Sequence, residues 1–319
     1  MPYAMASSTT AASTVGSAKP LTFPRYFYHQ ITAKPQAVTN VNLRGQTALV
    51  TGSNCGVGLE TSRQLLDLGL SKLILAVRDK AKGQRAAADL AKGRADFDPA
   101  TIEVWKLDQS DYGSVVAFAA RAQTTLARLD IAVLNAGIGP ARLSYNAATG
   151  HDEIVQVNYL STTLLALLLL PLAKAARPRQ PRPTRITLTL CEAAAFTRHF
   201  PVGNAEAPVL AALDAPGKAA KNTGDRMCVS KLLGQFFVAK LASVVPPSVA
   251  VVNAASPGSC HDSRFDRDMD GTAAGAVSKA FLRHFGHTSV VGARMMTDAA
   301  VRHGEETHGQ FLSFQKVVR

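Results

Sequence analysis

The sequence predicts an α/β fold: a doubly wound parallel sheet of seven strands with helices on both faces. Three observations predict it. Short apolar runs alternate with amphipathic stretches of helical length through most of the 319 residues, which implies parallel strands joined by right-handed helical crossovers. A glycine-rich loop, Thr51-Gly52-Ser53-Asn54-Cys55-Gly56-Val57-Gly58, falls directly between the first apolar run and the first amphipathic one. No internal repeat is visible, and the strands follow one another in a single run, so 21–319 reads as one domain.

The elements follow in order. Gln46–Thr51 is expected as strand one, an apolar core leading into the glycine turn, and Val57–Leu68 as an amphipathic helix. Lys72–Arg78 holds five consecutive apolar residues and reads as a strand, and Asp79–Lys92, rich in Ala and Lys, as a helix. Strand Thr101–Asp108 leads to helix Tyr112–Leu126, and strand Ile131–Asn135 to a long helix, Asp152–Ala175. Strand Thr184–Cys191 leads to helix Arg226–Ser243, strand Ser248–Ala255 to helix Val290–Arg302, and Gly309–Phe314 is a last short strand. The segments 197–224 and 257–285 carry Pro and Gly and are long for connections. Such loops are often lids or binding loops, and both fall at the strand ends where open α/β sheets bind ligands.

Charge and composition narrow the partners. The net charge is +12, which would allow contact with nucleic acid or a membrane surface. Part of that charge is local: residues 1–59 hold Lys19, Arg25, Lys34 and Arg44 and no acid. A second basic cluster, Arg177, Arg179, Arg182 and Arg185, has no aromatic residue to stack bases, so no nucleic-acid partner is expected. Cys55, Cys191, Cys228 and Cys260 show no paired metal-ligand spacing, and a reducing, cytoplasmic protein without disulfides or metal is expected. The most apolar run, 163–172, is shorter than the ~20 residues that span a bilayer and holds Pro171, so it reads as a buried helix or a homodimer face. The Ala/Ser/Thr-rich start reads as a disordered tail over 1–20, with an organelle transit peptide as the alternative.

The glycine loop sits where its mechanism needs it. Gly52 permits a tight turn, and Gly56 and Gly58 let backbone approach a pyrophosphate at a helix N-terminus. Arg78 closes the second strand, 20 residues after Gly58. A carboxylate near there would bind a ribose 2′-hydroxyl, whereas a guanidinium offers a fork for a 2′-phosphate and favours NADP(H). Asp79 follows immediately and leaves the choice open.

These motifs, with Asn135-Ala136-Gly137, Asn158 and Ser230-Lys231, resemble the short-chain dehydrogenase/reductase family, and within it a retinol-dehydrogenase-like group of fungal metabolism. The likeness covers roughly residues 21–316, and includes Leu43-Arg44-Gly45 before the first strand and the stretch from Arg226 to Phe237. It implies a Rossmann-type fold, with Asp108 at the adenine ring, Asn135, Ala136 and Gly137 at the adenosine ribose, and Pro257-Gly258 on the nicotinamide side. It also implies a catalytic set of Asn, Ser, Tyr and Lys. Asn158 and Lys231 match the first and last, the lysine also binding the nicotinamide ribose.

Three positions depart from the family. Cys191 stands in the serine place, Met227 in the tyrosine place, and Asp262 in the place of a hydroxyl residue after Pro257-Gly258. A thioether has no proton to give, and a positioned acid is worth ~10² to 10⁴ in rate. The substitutes in view are Lys231 through water and Cys191 ionised beside that lysine. Glu192, Asp225 and Asp262 are further acids, each also readable as a surface or capping residue. His199 and His261 lie in the pocket-side loops, and Tyr159 should point to a different side of its helix from Asn158. Three functions remain open. The first is an NADP(H)-dependent oxidoreductase acting on a medium-sized apolar small molecule. The second is a non-redox cyclase, isomerase or dehydratase on the same fold. The third is a cofactor-binding scaffold without turnover.

Overall fold

The computed structural model describes residues 22–94, 98–139, 141–200, 208–215, 222–265, 267, 270 and 272–318. The expected tail over 1–20 lies outside the described residues. The strands are β1 (Thr47–Thr51), β2 (Lys72–Val77), β3 (Ile102–Lys106), β4 (Ile131–Leu134), β5 (Thr184–Thr189), β6 (Ala250–Ala255), β7 (Phe311–Ser313) and β8 (Lys316–Val318). They form one sheet in the order β3-β2-β1-β4-β5-β6-β7-β8. Strand order reverses between β1 and β4, which makes the crevice beyond their carboxyl ends the expected ligand site.

The sheet is parallel from β3 to β7, as the alternation of elements predicts, but it has eight strands and not seven. β8 returns antiparallel to β7, pairing Phe311 with Val318 and Ser313 with Lys316. The turn between them is Phe314-Gln315, both with positive φ (46° and 63°). Left-handed hairpin turns usually announce themselves with Asn-Gly or Asp-Gly, and this one does not.

The helices are α1 (Phe23–Thr32), α2 (Gly56–Asp67), α3 (Lys80–Ala91), α4 (Tyr112–Thr125), the long α5 (Glu153–Arg179), α6 (Val209–Asp214), α7 (Thr223–Ala242), α8 (Ala273–Phe285) and α9 (Ser289–Val301). Three were not anticipated: α1 precedes the sheet, and α6 and α8 occupy stretches expected as long loops. Side-chain caps start most of them. Asp79 accepts from Lys82 N at 3.1 Å, Asp111 from Gly113 N at 2.8 Å, and Asp152 from Ile154 N and Val155 N at 2.9 and 3.1 Å. Asn222, Thr272 and Thr288 cap α7, α8 and α9 in the same way.

The apolar run 163–172 belongs to a helix longer than the run itself. By length and composition α5 could cross a bilayer, but 61% of its most apolar window is buried inside the protein. Leu165, Leu169 and Leu172 pack with Val115, Phe118 and Ala122 of α4 and with Leu49, Ile74 and Leu134 beneath one face of the sheet. The other face is covered by Leu65 and Leu66 of α2, Leu90 of α3, and Met296 and Ala299 of α9, over Ala48, Val50, Leu73, Leu75 and Val133. Consecutive strand residues point to opposite faces, so both faces are apolar and the strands read as near-continuous hydrophobic runs.

Candidate functional site

The carboxyl ends of β1, β4, β5 and β6 converge on one cleft. The glycine loop lies at the end of β1, with positive φ at Gly52 (63°) and Gly56 (58°). A Cβ on Gly52 would come within 2.9 Å of Ala136 Cα, and one on Gly58 within 2.5 Å of both Gly52 O and Asn135 Nδ2. The loop is therefore folded against the end of β4 with no spare volume. Asn135 holds it there, its Nδ2 donating to Thr51 O at 3.0 Å, while Ala136 N donates to Thr51 Oγ1 at 2.9 Å. Gly137 continues that turn, and a Cβ on it would meet Asn158 Oδ1 at 3.1 Å.

Two features of this loop fit a pyrophosphate. Helix α2 begins at Cys55 with no side-chain cap, in contrast to α3, α4, α5, α7, α8 and α9. Its first N–H groups and the positive end of its dipole are left for an anion. Ser53 is fully buried and its hydroxyl has no hydrogen-bond partner, a state that buried polar groups seldom keep unless a ligand completes it. Asn54 is half-buried beside it, and Val57 anchors the first turn of α2 in the core.

Arg78 is exposed at the end of β2, with no ion pair among the described residues. Its neighbour Asp79 is committed elsewhere. The main-chain N–H of Lys82 holds that carboxylate below its ordinary range, and Lys82 Nζ lies 3.7 Å away. Asp108 is half-buried at the end of β3, accepting from Ser110 N at 3.1 Å.

At the catalytic end, Asn158 sits in a six-residue π segment of α5, Gln156–Ser161. Such bulges recur at functional sites. Its Oδ1 accepts from Ile138 N at 2.8 Å, and its Nδ2 donates to Ile138 O at 3.0 Å and Ser230 Oγ at 3.4 Å. Ser230 Oγ donates in turn to Met227 O at 2.7 Å. Lys231 is buried on α7, one turn from Met227, and Nζ donates to Thr189 O at 2.8 Å. Burial lowers its pKa, opposed by the nearby Cys191 thiol.

The surroundings of Cys191 disfavour a thiolate. Burial pushes its pKa up to about 11, and the Lys231 charge only partly offsets this. Alkylation by iodoacetamide at pH 7.5, followed by peptide mapping, should therefore label Cys191 on the order of a hundredfold more slowly than an unperturbed thiol. A rate close to that of a free thiol would restore the nucleophile reading.

The other candidate acids are structural in this fold. Glu192 is not on the surface: it is 4% exposed, and its carboxylate accepts from the hydroxyls of Ser256 and Ser313, each at 2.5 Å. Ser256 Oγ also accepts from Gly258 N at 3.0 Å, so Glu192 braces the Pro257-Gly258 turn from below. Asp225 accepts from Arg198 N at 2.8 Å and pairs with His199 at 3.2 Å. Asp262 accepts from both N and Oγ of Ser289 at 2.6 Å, at the start of α9. His261 contributes its main-chain N–H to His287 O. Tyr159 packs with Val155, Leu213 and Val229 in a small satellite core. Among the described residues no cluster of His, Cys, Asp and Glu could hold a metal.

Sequence reasoning placed Phe265 in a pocket-side loop without its contact, and missed helix α1. Phe265, in the loop after β6, lies on the β4 turn: a Cβ on Gly139 would meet its ring at 2.4 Å, and Gly139 N donates to Phe265 O at 3.2 Å. Helix α1 lies over the Pro257-Gly258 turn, with Gln30 Oε1 accepting from Ser259 N at 3.0 Å. The signal for α1 was a helical stripe, Phe23, Tyr26, Phe27 and Gln30, spaced i, i+3, i+4, i+7.

Comparison with known proteins gives the lineage. A family model described as short chain dehydrogenase matches residues 46–179. The short chain dehydrogenase/reductase mfmJ of Annulohypoxylon moriforme is 41% identical over 292 residues, covering 91% of this chain and 82% of that protein. The chain belongs to the short-chain dehydrogenase/reductase family. A second fungal short-chain dehydrogenase, fogG of Aspergillus ruber, is 41% identical over 297 residues, covering 92% of this chain and 84% of the relative. Among solved structures, salutaridine reductase from Papaver somniferum shares the fold with a TM-score of 0.60 at 21% identity, covering 83% of this chain and 99% of that one. A Beutenbergia cavernae chain solved with NADP bound does so with a TM-score of 0.58 at 19% identity, covering 86% and 96%. Within this dehydrogenase/reductase frame, Met227 occupies a half-buried position on α7 one turn before Lys231.

Proposed function

We propose that the chain is an NADP(H)-dependent oxidoreductase, a single domain over 21–319, acting on a medium-sized apolar metabolite in fungal secondary metabolism. The observation that carries the reading is the groove beside the glycine loop: an uncapped α2, a buried Ser53 hydroxyl without a partner and Arg78 without an ion pair among the described residues, while Asp79 caps α3. Bound NADPH supplies a hydride. The chain's own residues bind and orient it. Gly52, Ser53, Asn54, Gly56, Val57 and Gly58 hold the pyrophosphate, Arg78 the 2′-phosphate, Asp108 the adenine, and Asn135, Ala136 and Gly137 the adenosine ribose. Lys231, which donates to Thr189 O, would hold the nicotinamide ribose, and Pro257-Gly258 would lie on the nicotinamide side. Asn158 fixes Ile138 and Ser230 around that end of the groove. Phenylalanines 27, 196, 281 and 285, all around α1, support an apolar substrate. Four free cysteines support a reducing, cytoplasmic setting.

Titration with NADPH, NADP⁺ and NADH, followed by calorimetry, tests the reading. NADP(H) should bind at least tenfold more tightly than NAD(H), and Arg78→Asp should reverse the order. Equal affinities would remove the role of Arg78, and no binding of any nicotinamide would remove the oxidoreductase reading.

One observation favours a second reading. Met227 carries no proton, and Cys191 is a weak acid in its burial, so a non-redox cyclase, isomerase or dehydratase could use the same cleft. Substrate conversion with unchanged absorbance at the NADPH band would select it.

A further inference from the structure

We propose that Tyr26 of helix α1 delivers the proton that Met227 cannot. The proposal rests on the oxidoreductase reading and supplies its missing acid. Three observations place the phenol. Tyr26 Oη lies 2.7 Å from Ser259 Oγ, immediately after the Pro257-Gly258 turn. The Tyr26 ring packs edge-on to Phe196, 6.3 Å between centroids, and Phe196 lies in the short turn that follows Cys191 after β5. β5 and β6 are hydrogen-bonded neighbours whose last pair is Thr189 with Ala255. Tyr26 therefore bridges the exits of the two strands that present the serine place and the nicotinamide-side turn.

Helix α1 is clamped, not merely resting, at this point. Gln30 Oε1 accepts from Ser259 N at 3.0 Å, and Gln30 Nε2 donates to Ser259 O at 3.3 Å. Phe27 packs against Phe281 and Phe285 of α8, with centroids 5.3 and 5.8 Å apart. Such bracing fixes the phenol in position before a substrate arrives.

Tyr26 Oη itself donates to Gln30 Oε1 at 3.3 Å, whereas the rival donors nearby are held by shorter bonds or unsuited. The Ser230 hydroxyl donates to Met227 O, that of Ser256 to Glu192, and Lys231 to Thr189 O. Tyr28 is 65% exposed, and Tyr159 belongs to the satellite core.

The step balances. The hydride passes with its electron pair from the reduced nicotinamide to the carbonyl carbon, and the C=O π pair moves onto oxygen. That oxygen takes the phenolic proton of Tyr26. The phenolate regains a proton from Ser259 Oγ, which takes one from water. Burial, reinforced by the Glu192 charge, raises the pKa of the phenol. It therefore stays protonated at neutral pH, as carbonyl reduction needs, but is a weaker acid than a free phenol, a cost that its fixed position must offset.

The test uses the whole chain labelled with ζ-¹³C tyrosine, with the Tyr26 resonance assigned by its loss in Tyr26→Phe. Calorimetry establishes saturation with NADP⁺. Reduction of bicyclic aryl ketones by NADPH, β-tetralone first, gives the kinetic readout. The Tyr26 resonance should shift on saturation with NADP⁺. Tyr26→Phe, which keeps the ring contact with Phe196, should lose ~10² to 10⁴ in kcat with little change in KM. Met227→Tyr added to that variant should restore turnover, because it sets a phenol one helical turn from Lys231. A resonance unmoved by bound NADP⁺ overturns the proposal. So does a Tyr26→Phe enzyme as fast as the parent, which would leave the oxidoreductase reading standing. No ketone reduction by the parent or by Met227→Tyr overturns both.

Discussion

Asp152→Ala lowers the unfolding free energy by ~3–5 kcal/mol, the range expected when one member of a buried ion pair is removed. Asp152 is 0% exposed and Arg226 7%, and the carboxylate lies 3.4 Å from Arg226 Nε. Neither Asp152 Oδ2 nor Arg226 Nε has a hydrogen-bond partner among the described residues, so the two are held by charge alone. Removing the carboxylate leaves the buried guanidinium next to Met227 without its ion-pair partner among the described residues. It also uncaps α5, since Asp152 Oδ1 accepts from Ile154 N and Val155 N, a further ~1 kcal/mol. Asp152→Asn separates the two effects, because an amide oxygen still caps the helix while the charge is gone. Urea unfolding measures both variants, with an unchanged m-value showing that the comparison is between like states. A loss below about 1 kcal/mol in Asp152→Ala would mean that Arg226 finds water or another acceptor, and that the pair does not tie α5 to α7. Typical domains have ~5–15 kcal/mol in all, so the variant should also accumulate poorly.

This pair illustrates what a sequence does and does not disclose. Asp152 was legible as the start of a helix, because capping is local: the side chain meets its own first turn. The same holds for Asp79 and Asp111, and for the glycine loop, whose chemistry is contained in eight consecutive residues. The strands were legible because helices cover both faces of the sheet, leaving no polar alternation to confuse the pattern. What could not be read is long-range. Arg226 meets Asp152 across 74 positions. Glu192 read as a surface or capping residue because Ser313, one of its two partners, lies 121 residues away. Helix α1 had an apolar stripe, but nothing local says that Gln30 closes on Ser259, 229 residues on. β8 was missed for a local reason, since Phe314-Gln315 makes its tight turn without the residues that usually mark one. The π segment around Asn158 had the same invisibility, because one extra residue in a helical turn leaves the apolar period nearly unchanged.

Gly58→Ala should weaken nicotinamide binding by up to ~100-fold while leaving a folded protein. The new methyl would sit 2.5 Å from Gly52 O and 2.5 Å from Asn135 Nδ2, and 3.0 Å from Gly52 C. Two of these atoms are backbone, so no rotamer change relieves the contact, and the glycine loop must move away from the end of β4. Overpacking of this kind costs ~1–3 kcal/mol. The cost should fall on binding as well as stability, because the displaced loop carries the groups proposed to converge on a pyrophosphate: the uncapped start of α2, Ser53, and the backbone of Gly56. With tenfold per 1.4 kcal/mol, a penalty at the upper end is ~100-fold in Kd. Calorimetric titration of Gly58→Ala with NADPH, beside a thermal melt, measures the two separately. A substantially destabilised protein that binds NADPH as well as the parent would mean that the loop is packed for the fold alone and that the cofactor lies elsewhere. A folded protein with binding weakened to that extent would place the glycine loop at the pyrophosphate. The departures at Met227, Cys191 and Asp262 would then mark a change of proton donor on an intact cofactor platform.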